Sequence, residues 1–276
     1  MALGIKITRT LPLHPRGVFL QWDLTNPSES GTYLFDVYRG GGPTGPWELL
    51  VGGAVNIYNY VDRFPSDGAA VEGDRNQLSL SRGVFYRVVA TPPSGGAGKV
   101  EAVSLTEPSL DGRQRLLKRK MLRDLSIGLK RLNGTPVALI KRMHWGPRCT
   151  KCYDKYTKEV VRASCVTCMG TGFIPGYHVP VISLARRTPT AVETAMTPEG
   201  KQDISVLQVW MIDAPRAEED DILVFLIDDR RFIVKKILPT ELKTVAVHQK
   251  LIVSEIARSS VEFRVIVDPL RIPPLF

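Results

Sequence analysis

Four cysteines constrain the fold of this 276-residue chain more than any other feature. They form two C-x-x-C pairs, Cys149 with Cys152 and Cys165 with Cys168, and twelve residues separate the pairs. Each pair brings two thiolates to one ion from a tight turn, and two pairs complete a tetrahedral shell of four sulfurs. The spacing therefore predicts one structural Zn²⁺ bound by all four cysteines, with no position open for water or substrate.

Two disulfides and a redox-active pair are the alternatives to zinc. Disulfides need an oxidising compartment. The first six residues lack the apolar core of a secretory signal, so we do not expect two disulfides. A redox site needs only one pair, placed where a strand meets a helix. His144 is a candidate replacement ligand, but four sulfurs already fill the shell, which favours a surface or packing role for it.

Strand signals separated by Gly, Pro and Ser turns run through residues 1–108, without a convincing helix. Their spacing is typical of a small sandwich, with predicted strands at 18–22, 33–39, 47–50, 58–61, 83–90 and 100–105. We therefore expect residues 1–108 to fold alone.

The same region resembles a fibronectin type III module. The resemblance lies in Trp22, in Phe35-Asp-Val-Tyr-Arg39 followed by Gly45-Pro-Trp47, and in Phe85-Tyr-Arg-Val-Val-Ala90. The Gly/Asp-rich stretch at 65–75 departs from that pattern. The resemblance implies a β-sandwich.

The excess positive charge lies in one segment. Between Glu107 and Lys151 the sequence has twelve basic and three acidic residues, which accounts for the net charge of +9 of the whole chain. Apolar residues recur there at helical spacing, at Leu117, Met121, Leu125 and Leu129 or Leu132. The pattern therefore predicts a basic amphipathic helix and a linking strand at 109–145, followed by a zinc-binding loop at 146–180. The basic face of the predicted helix is either solvated or in contact with nucleic acid or an acidic partner.

Residues 181–276 read as a second β-unit, most simply a small barrel. The predicted strands are 205–212, 221–227, 231–237, 251–256 and 261–267, with Asp228-Asp229 as a hairpin turn. The polar stretch from Ala185 to Asp203 predicts a long loop, and loops of that length more often serve a partner than the fold.

No catalytic motif is recognisable, so we expect no enzyme. The histidines His14, His144, His178 and His248 are scattered along the sequence. The acids of the run 218–221 are a candidate cation site, but such a run more often forms a solvated turn. No stretch approaches the roughly 20 apolar residues of a membrane span.

The order of motifs resembles virion proteins of tailed bacteriophages. The resemblance rests on the C-x-x-C pair at Cys149, a polar hairpin, and the run Cys165-Val-Thr-Cys168-Met-Gly-Thr-Gly-Phe173-Ile-Pro-Gly-Tyr177 before a proline-bearing strand. The run from Asp221 to Val234, with His248-Gln-Lys-Leu251, is similar to the small barrels of phage head-completion proteins. Eight residues from Cys165 also resemble the zinc repeat of J-domain chaperones, whose activity we do not carry over.

The predicted fold class is mainly β: a fibronectin III-like sandwich, a basic helix, a zinc loop and a small barrel. The phage resemblance implies a structural subunit of the neck or head-to-tail connector ring, located in the virion and assembled in the host cytoplasm. Its implied partners are portal, adaptor or tail proteins, further copies of itself in a ring, and packaged DNA through non-specific contact, with no membrane. The alternatives are a zinc-ribbon nucleic-acid-binding protein and a tail baseplate or fibre adaptor.

Overall fold

The structure is a computed structural model that describes residues 3–13, 17–27, 30–63, 84–95, 100–105, 112–189, 193–197, 200–204, 206–242 and 245–267. The fold is mainly β, as predicted. The chain divides into two compact units. The first contains Met1–Arg119 and His144–Arg148, and the second contains Lys120–Met143 and Cys149–Phe276. The predicted boundary at residue 108 and the 65–75 stretch lie outside the described residues.

The first unit is a sandwich of antiparallel strands. Its strands are β1 (Gly4–Leu13), β2 (Gly17–Thr25), β3 (Leu34–Gly40), β4 (Trp47–Val55), β5 (Asn59–Asp62), β6 (Phe85–Thr91) and β7 (Val100–Leu105). One sheet has the order β1-β2-β5 and the other β4-β3-β6-β7. Phe19, Trp22, Phe35 and Tyr86 are fully buried in its core. All six predicted strands are confirmed.

Trp145 completes the core of this first unit from far along the sequence. Its side chain is buried, and its ring lies 5.9 Å from that of Tyr33 and 5.4 Å from that of Phe35. Its indole Nε1–H donates a hydrogen bond to Asp23 Oδ1 at 3.2 Å. The sandwich therefore depends on a residue that the sequence pattern placed in a linking segment.

The second unit contains a closed barrel. Its strands are β8 (Thr135–Ile140), β9 (Val181–Pro189), β10 (Glu193–Thr197), β11 (Gly200–Ile204), β12 (Val206–Ile212), β13 (Ile222–Phe225), β14 (Arg230–Leu242) and β15 (Val245–Glu255). Six of them close in the antiparallel order β12-β15-β14-β13-β8-β9. Leu139, Phe225, Phe232 and Leu251 fill its interior. The predicted linking strand is thus a barrel strand, β8.

The basic segment forms helix α1 (Gly112–Gly128), which continues as a π-helical turn over Leu129–Asn133. Leu122, Ser126 and Leu129 are its buried side chains among those described. Leu132, one of the predicted apolar positions, is 83% exposed. No helix of the described residues is long and apolar enough to cross a membrane.

The prediction of a long loop from Ala185 to Asp203 is wrong. Strand β9 extends to Pro189, and β10 pairs with β11 from Glu193↔Ile204 to Thr197↔Gly200. The sequence of this hairpin is polar at successive positions, so it lacks the apolar alternation by which a half-buried strand is recognised.

The prediction of a strand at 261–267 is also wrong. The segment contains a short 3₁₀ helix, Glu262–Arg264, and its apolar residues Phe263, Val265 and Val267 pack against a second cluster on the barrel. The Nη1 group of Arg231 donates to the carbonyl oxygens of Phe263 and Val265. The Arg231 guanidinium therefore provides the hydrogen bonds that a neighbouring strand would otherwise provide to these carbonyls. The apolar residues alternate as they do in a strand, which explains the wrong prediction.

We predict that Arg231→Ala lowers the free energy of unfolding of the second unit by about 1.5–3 kcal/mol, because hydrogen bonds to a charged donor are lost and the carbonyls keep no partner. The neighbouring Arg230→Ala is the matched control. Arg230 pairs with Glu255 at 2.7 Å on the surface, and exposed pairs contribute about 1 kcal/mol or less. Denaturant unfolding of both variants measures the difference. Equal losses would contradict the role assigned to Arg231.

Candidate metal centre

The four-cysteine region, here called the cysteine loop (residues 149–180), is attached to the barrel near its C-terminal end. Backbone hydrogen bonds join Met143 N–H to Gly176 O at 3.0 Å and His178 N–H to Lys141 O at 2.9 Å. Tyr177 is buried in the cluster that includes Ile140 and Ile222. The base of the loop is thereby fixed to strands β8 and β13 within the second unit.

Backbone hydrogen bonds also bring the two cysteine pairs together. Cys149 N–H donates to Gly172 O at 2.9 Å, which joins the first pair to the turn after the second. A short hairpin connects the pairs, with Val161 N–H donating to Cys152 O at 2.8 Å. Thr171 is buried, and its Oγ1 donates to Cys168 O at 2.8 Å. The chain therefore approaches one point from two tight turns.

The four predicted ligand sulfurs meet at that point. The sulfurs of Cys149 and Cys165 are 3.9 Å apart, those of Cys152 and Cys168 are 3.1 Å apart, and all four lie within 4.8 Å of one another. A tetrahedral shell with Zn–S bonds of about 2.3 Å places its sulfurs about 3.8 Å apart. The arrangement fits a single tetrahedral ion, and the four cysteines are free thiols.

The surroundings of the sulfurs are closed to solvent. Each cysteine is 6% exposed or less, and Val160 and Ile174 pack against the cluster. A metal held here has four protein ligands and no room for a water molecule or substrate, so it can stabilise the loop but cannot act as a Lewis acid.

Backbone amides favour ionisation of one of the four thiols. Hydrogen bonds from the backbone of Cys168 and Thr167 lower the pKa of Cys165 to about 6. Burial raises the pKa of Cys152 and of Cys168, because each thiolate would lose hydration. Metal binding requires all four as thiolates, so a cation must supply the compensation that the protein lacks.

Glycines make the turns of the loop possible. Gly170 and Gly172 have φ angles of +77° and +80°, in the left-handed region that favours glycine. A Cβ on Gly170 would lie 2.5 Å from Ala163 O. Gly176, with φ of +99°, faces the carbonyl of Cys168 in the same way. The requirement for glycine at position 176 is not among the sequence predictions, although Gly176 is part of the run from Cys165 to Tyr177.

The remaining predicted residues lie elsewhere. His144 is exposed and belongs to the first unit, outside the cysteine cluster. His178 is buried at the base of the loop, and His248 lies on β15. His14 lies outside the described residues. Among the described residues, the four cysteines are the only group that could hold a metal ion.

The acidic run 218–221 is a solvated turn only in part, because residues 219–220 form the turn and Glu219 is exposed, whereas Asp221 is not. Asp221 is fully buried, and its carboxylate accepts hydrogen bonds from the backbone N–H groups of Arg142 at 2.8 Å and Glu218 at 2.7 Å. Lys141 is buried beside it, with Nζ 2.5 Å from Glu218 Oε1. Burial raises the pKa of Asp221 to about 7, against the opposing effect of Lys141 and the backbone donors.

In comparisons with known proteins, no protein-family model and no curated protein matches this sequence.

We predict that Gly176→Ala lowers the free energy of unfolding of the second unit by more than about 2 kcal/mol, since the added Cβ meets backbone at a positive φ. Gly128→Ala is the matched control. Gly128 has helical φ and ψ of −60° and −45° with no atom within 4 Å of an added Cβ. This variant should gain about 0.5–1 kcal/mol. Thermal unfolding of both variants tests the pair, and a harmless Gly176→Ala would contradict the loop geometry.

Proposed function

We propose that this chain is a structural subunit of a tailed-phage virion, placed in the neck or head-to-tail connector ring, and that its cysteine loop holds one Zn²⁺. The observation that carries the proposal is the buried, closed shell of four sulfurs attached to a small barrel. The motif order that resembles phage virion proteins supplies the setting. Portal, adaptor or tail proteins and further copies of the chain are the proposed partners.

The chemistry of the site supports an assembly role. A four-sulfur shell has no open coordination position, so it contributes folding free energy and no catalysis. The buried Lys141 ammonium pairs with Glu218, and the Asp221 carboxylate accepts hydrogen bonds from two backbone N–H groups, so both groups are satisfied within the protein. We therefore propose that the protein is not an enzyme.

The zinc would replace a hydrophobic core that the loop cannot build. Among the buried apolar residues of the loop are Phe173 and Tyr177, while the hairpin between the cysteine pairs carries Tyr156, 96% exposed, and the exposed Val161. Exposed aromatic and aliphatic side chains at the tip of a rigid loop are suited to contact a neighbouring protein. We propose that this tip contacts a neighbouring subunit.

Nucleic-acid binding is the second candidate, and the same tip is the observation that favours it. Lys151, Lys155, Lys158 and Arg162 are exposed around Tyr156. Cations attract phosphates and an exposed aromatic ring can stack on a base, so a zinc-ribbon protein would use these residues directly.

One experiment separates the two candidates. Sedimentation velocity and negative-stain microscopy of the purified full chain give its assembly state, and fluorescence anisotropy gives its affinity for DNA across a salt series. The neck proposal predicts closed rings and weak DNA binding at physiological salt. Tight DNA binding by the monomer, with log affinity falling by about 0.9 per phosphate contacted as log salt rises, would establish the second candidate instead. The charge reversals Lys155→Glu and Lys158→Glu should then abolish DNA binding, with Arg258→Glu on the barrel unit as control.

A further inference from the structure

A cavity of about 420 Å³ lies in the second unit, between helix α1 and the barrel. Leu125, Leu129 and Trp210 contribute apolar surface to its lining. Apart from Met211, which belongs to the barrel interior, the strand residues that line it alternate in sequence with Ala185, Val209 and other interior residues, so they lie on the outer face of the barrel. Pockets that bind small molecules have a similar volume and a mostly apolar lining with a few polar groups.

A cation without a counter-ion lines this cavity. Arg186 on β9 is exposed, and within the described part of the chain it has neither an ion pair nor a hydrogen bond. It lies opposite Trp210 in the β9–β12 register, and Lys250 lies opposite Trp210 on the other side, in β15. The Nζ of Lys250 is 5.3 Å from the centre of the Trp210 ring. The rim of the cavity is therefore positive.

His248 lies beside Trp210 in the lining of the cavity. His248 stacks on Trp210 with ring centres 5.3 Å apart, and its Nδ1 is buried with no hydrogen-bond partner among the described residues. Burial lowers the pKa of His248 below its ordinary value, which favours the uncharged ring. The stacked rings of Trp210 and His248 therefore extend the mostly apolar wall of the cavity.

We propose that this cavity binds a small amphipathic carboxylate, with its apolar body between Leu125, Leu129 and Trp210 and its carboxylate on Arg186. The planar guanidinium matches a carboxylate with two parallel hydrogen bonds. The site is separate from the cysteine loop, and the proposal does not depend on the neck function.

The apolar lining and the charge of the rim together select this ligand class. A neutral aliphatic molecule would fill the apolar part but leave Arg186 without a partner. An aliphatic amine would place its charge near Arg186 and Lys250, and like charges repel. A nucleic-acid strand would satisfy the cations, but its base would enter a lining that is mostly apolar.

Octanoate, 1-octanol and octylamine have the same chain and differ in the head group, so they test the proposal on the full-length protein. Calorimetry and Trp fluorescence measure the affinity. We expect saturable octanoate binding at least about tenfold tighter than that of the other two, because neither of their head groups can accept the paired, charge-assisted hydrogen bonds of the Arg186 guanidinium. Arg186→Gln should remove that preference, and Trp210→Phe should remove the fluorescence change but leave the calorimetric signal.

Arg123→Gln is the matched control. Arg123 is exposed on α1 and is not among the residues that line the cavity, so this variant should bind octanoate as the native chain does. Equal affinity for the three probes, or unchanged octanoate binding by Arg186→Gln, would overturn the proposal. Displacement of octanoate by micromolar oligothymidylate would also overturn the proposal, because the cavity would then be part of a nucleic-acid-binding surface.

Discussion

Replacing Cys165 by Ser is expected to release the proposed zinc and to unfold the cysteine loop while the first unit stays folded. A serine hydroxyl is a poor zinc ligand, and the three remaining thiols are buried too deeply to remain as uncompensated thiolates. Apparent zinc-binding free energies of structural sites are about 10–16 kcal/mol near pH 7, and that free energy is folding free energy. The loss therefore exceeds that of an ordinary point substitution.

Metal analysis and amide hydrogen exchange measure this result. The native chain should contain about one zinc per molecule, and Cys165→Ser much less. Amides of the loop such as those of Cys149 and Val161, which donate to Gly172 O and Cys152 O, should lose their protection. The control is Ser164→Ala, since Ser164 is exposed beside the ligand. Retained protection in metal-free Cys165→Ser would mean that the loop folds without an ion.

Trp145→Ala is expected to lower the free energy of unfolding of the first unit by about 3–5 kcal/mol, the usual cost of truncating a buried aromatic residue. The variant leaves a cavity beside Tyr33 and Phe35 and removes the hydrogen bond to Asp23. Denaturant unfolding followed by amide exchange of β2 and β3 measures the loss. Tyr156→Ala is the control, because it truncates an aromatic side chain that is almost entirely exposed.

The same argument changes the expectation for a fragment of residues 1–108. The sequence pattern predicts that this fragment folds alone, but the fragment lacks Trp145. We now expect it to be less stable than the first unit of the full chain by an amount similar to the effect of Trp145→Ala. A fragment as stable as the intact unit would contradict the role of Trp145 in the core.

The cysteine cluster was predictable because its information is local. Ligand spacing within a C-x-x-C pair follows from one tight turn, and glycines at Gly170 and Gly172 indicate the positive φ angles of the turn that follows. The sandwich strands were predictable for the same reason, since each has its own apolar pattern and turns. The buried role of Trp145 was not predictable, because it depends on contacts between residues 122 positions apart.

The errors in the second unit also have physical causes. Apolar residues at 261–267 alternate as in a strand, but Arg231 donates hydrogen bonds to carbonyl oxygens that would otherwise pair with a neighbouring strand. The hairpin of β10 and β11 has strand geometry without apolar alternation. The burial of Asp221 in the acidic run is not predictable from the sequence, because it depends on the charge of Lys141 and on two backbone N–H donors that the fold brings to it. The cavity at Trp210 is assembled from one helix and three strands and has no local motif.

X-ray absorption at the zinc edge of the purified native protein tests the central claim most directly, because it counts the atoms bound to the ion. We predict four sulfur neighbours at about 2.3 Å, with no nitrogen or oxygen in the shell. Cys149, Cys152, Cys165 and Cys168 would then form the closed structural site from which the assembly role is argued. A shell with a water oxygen or a histidine nitrogen, or protein free of metal with two disulfides, would contradict that account.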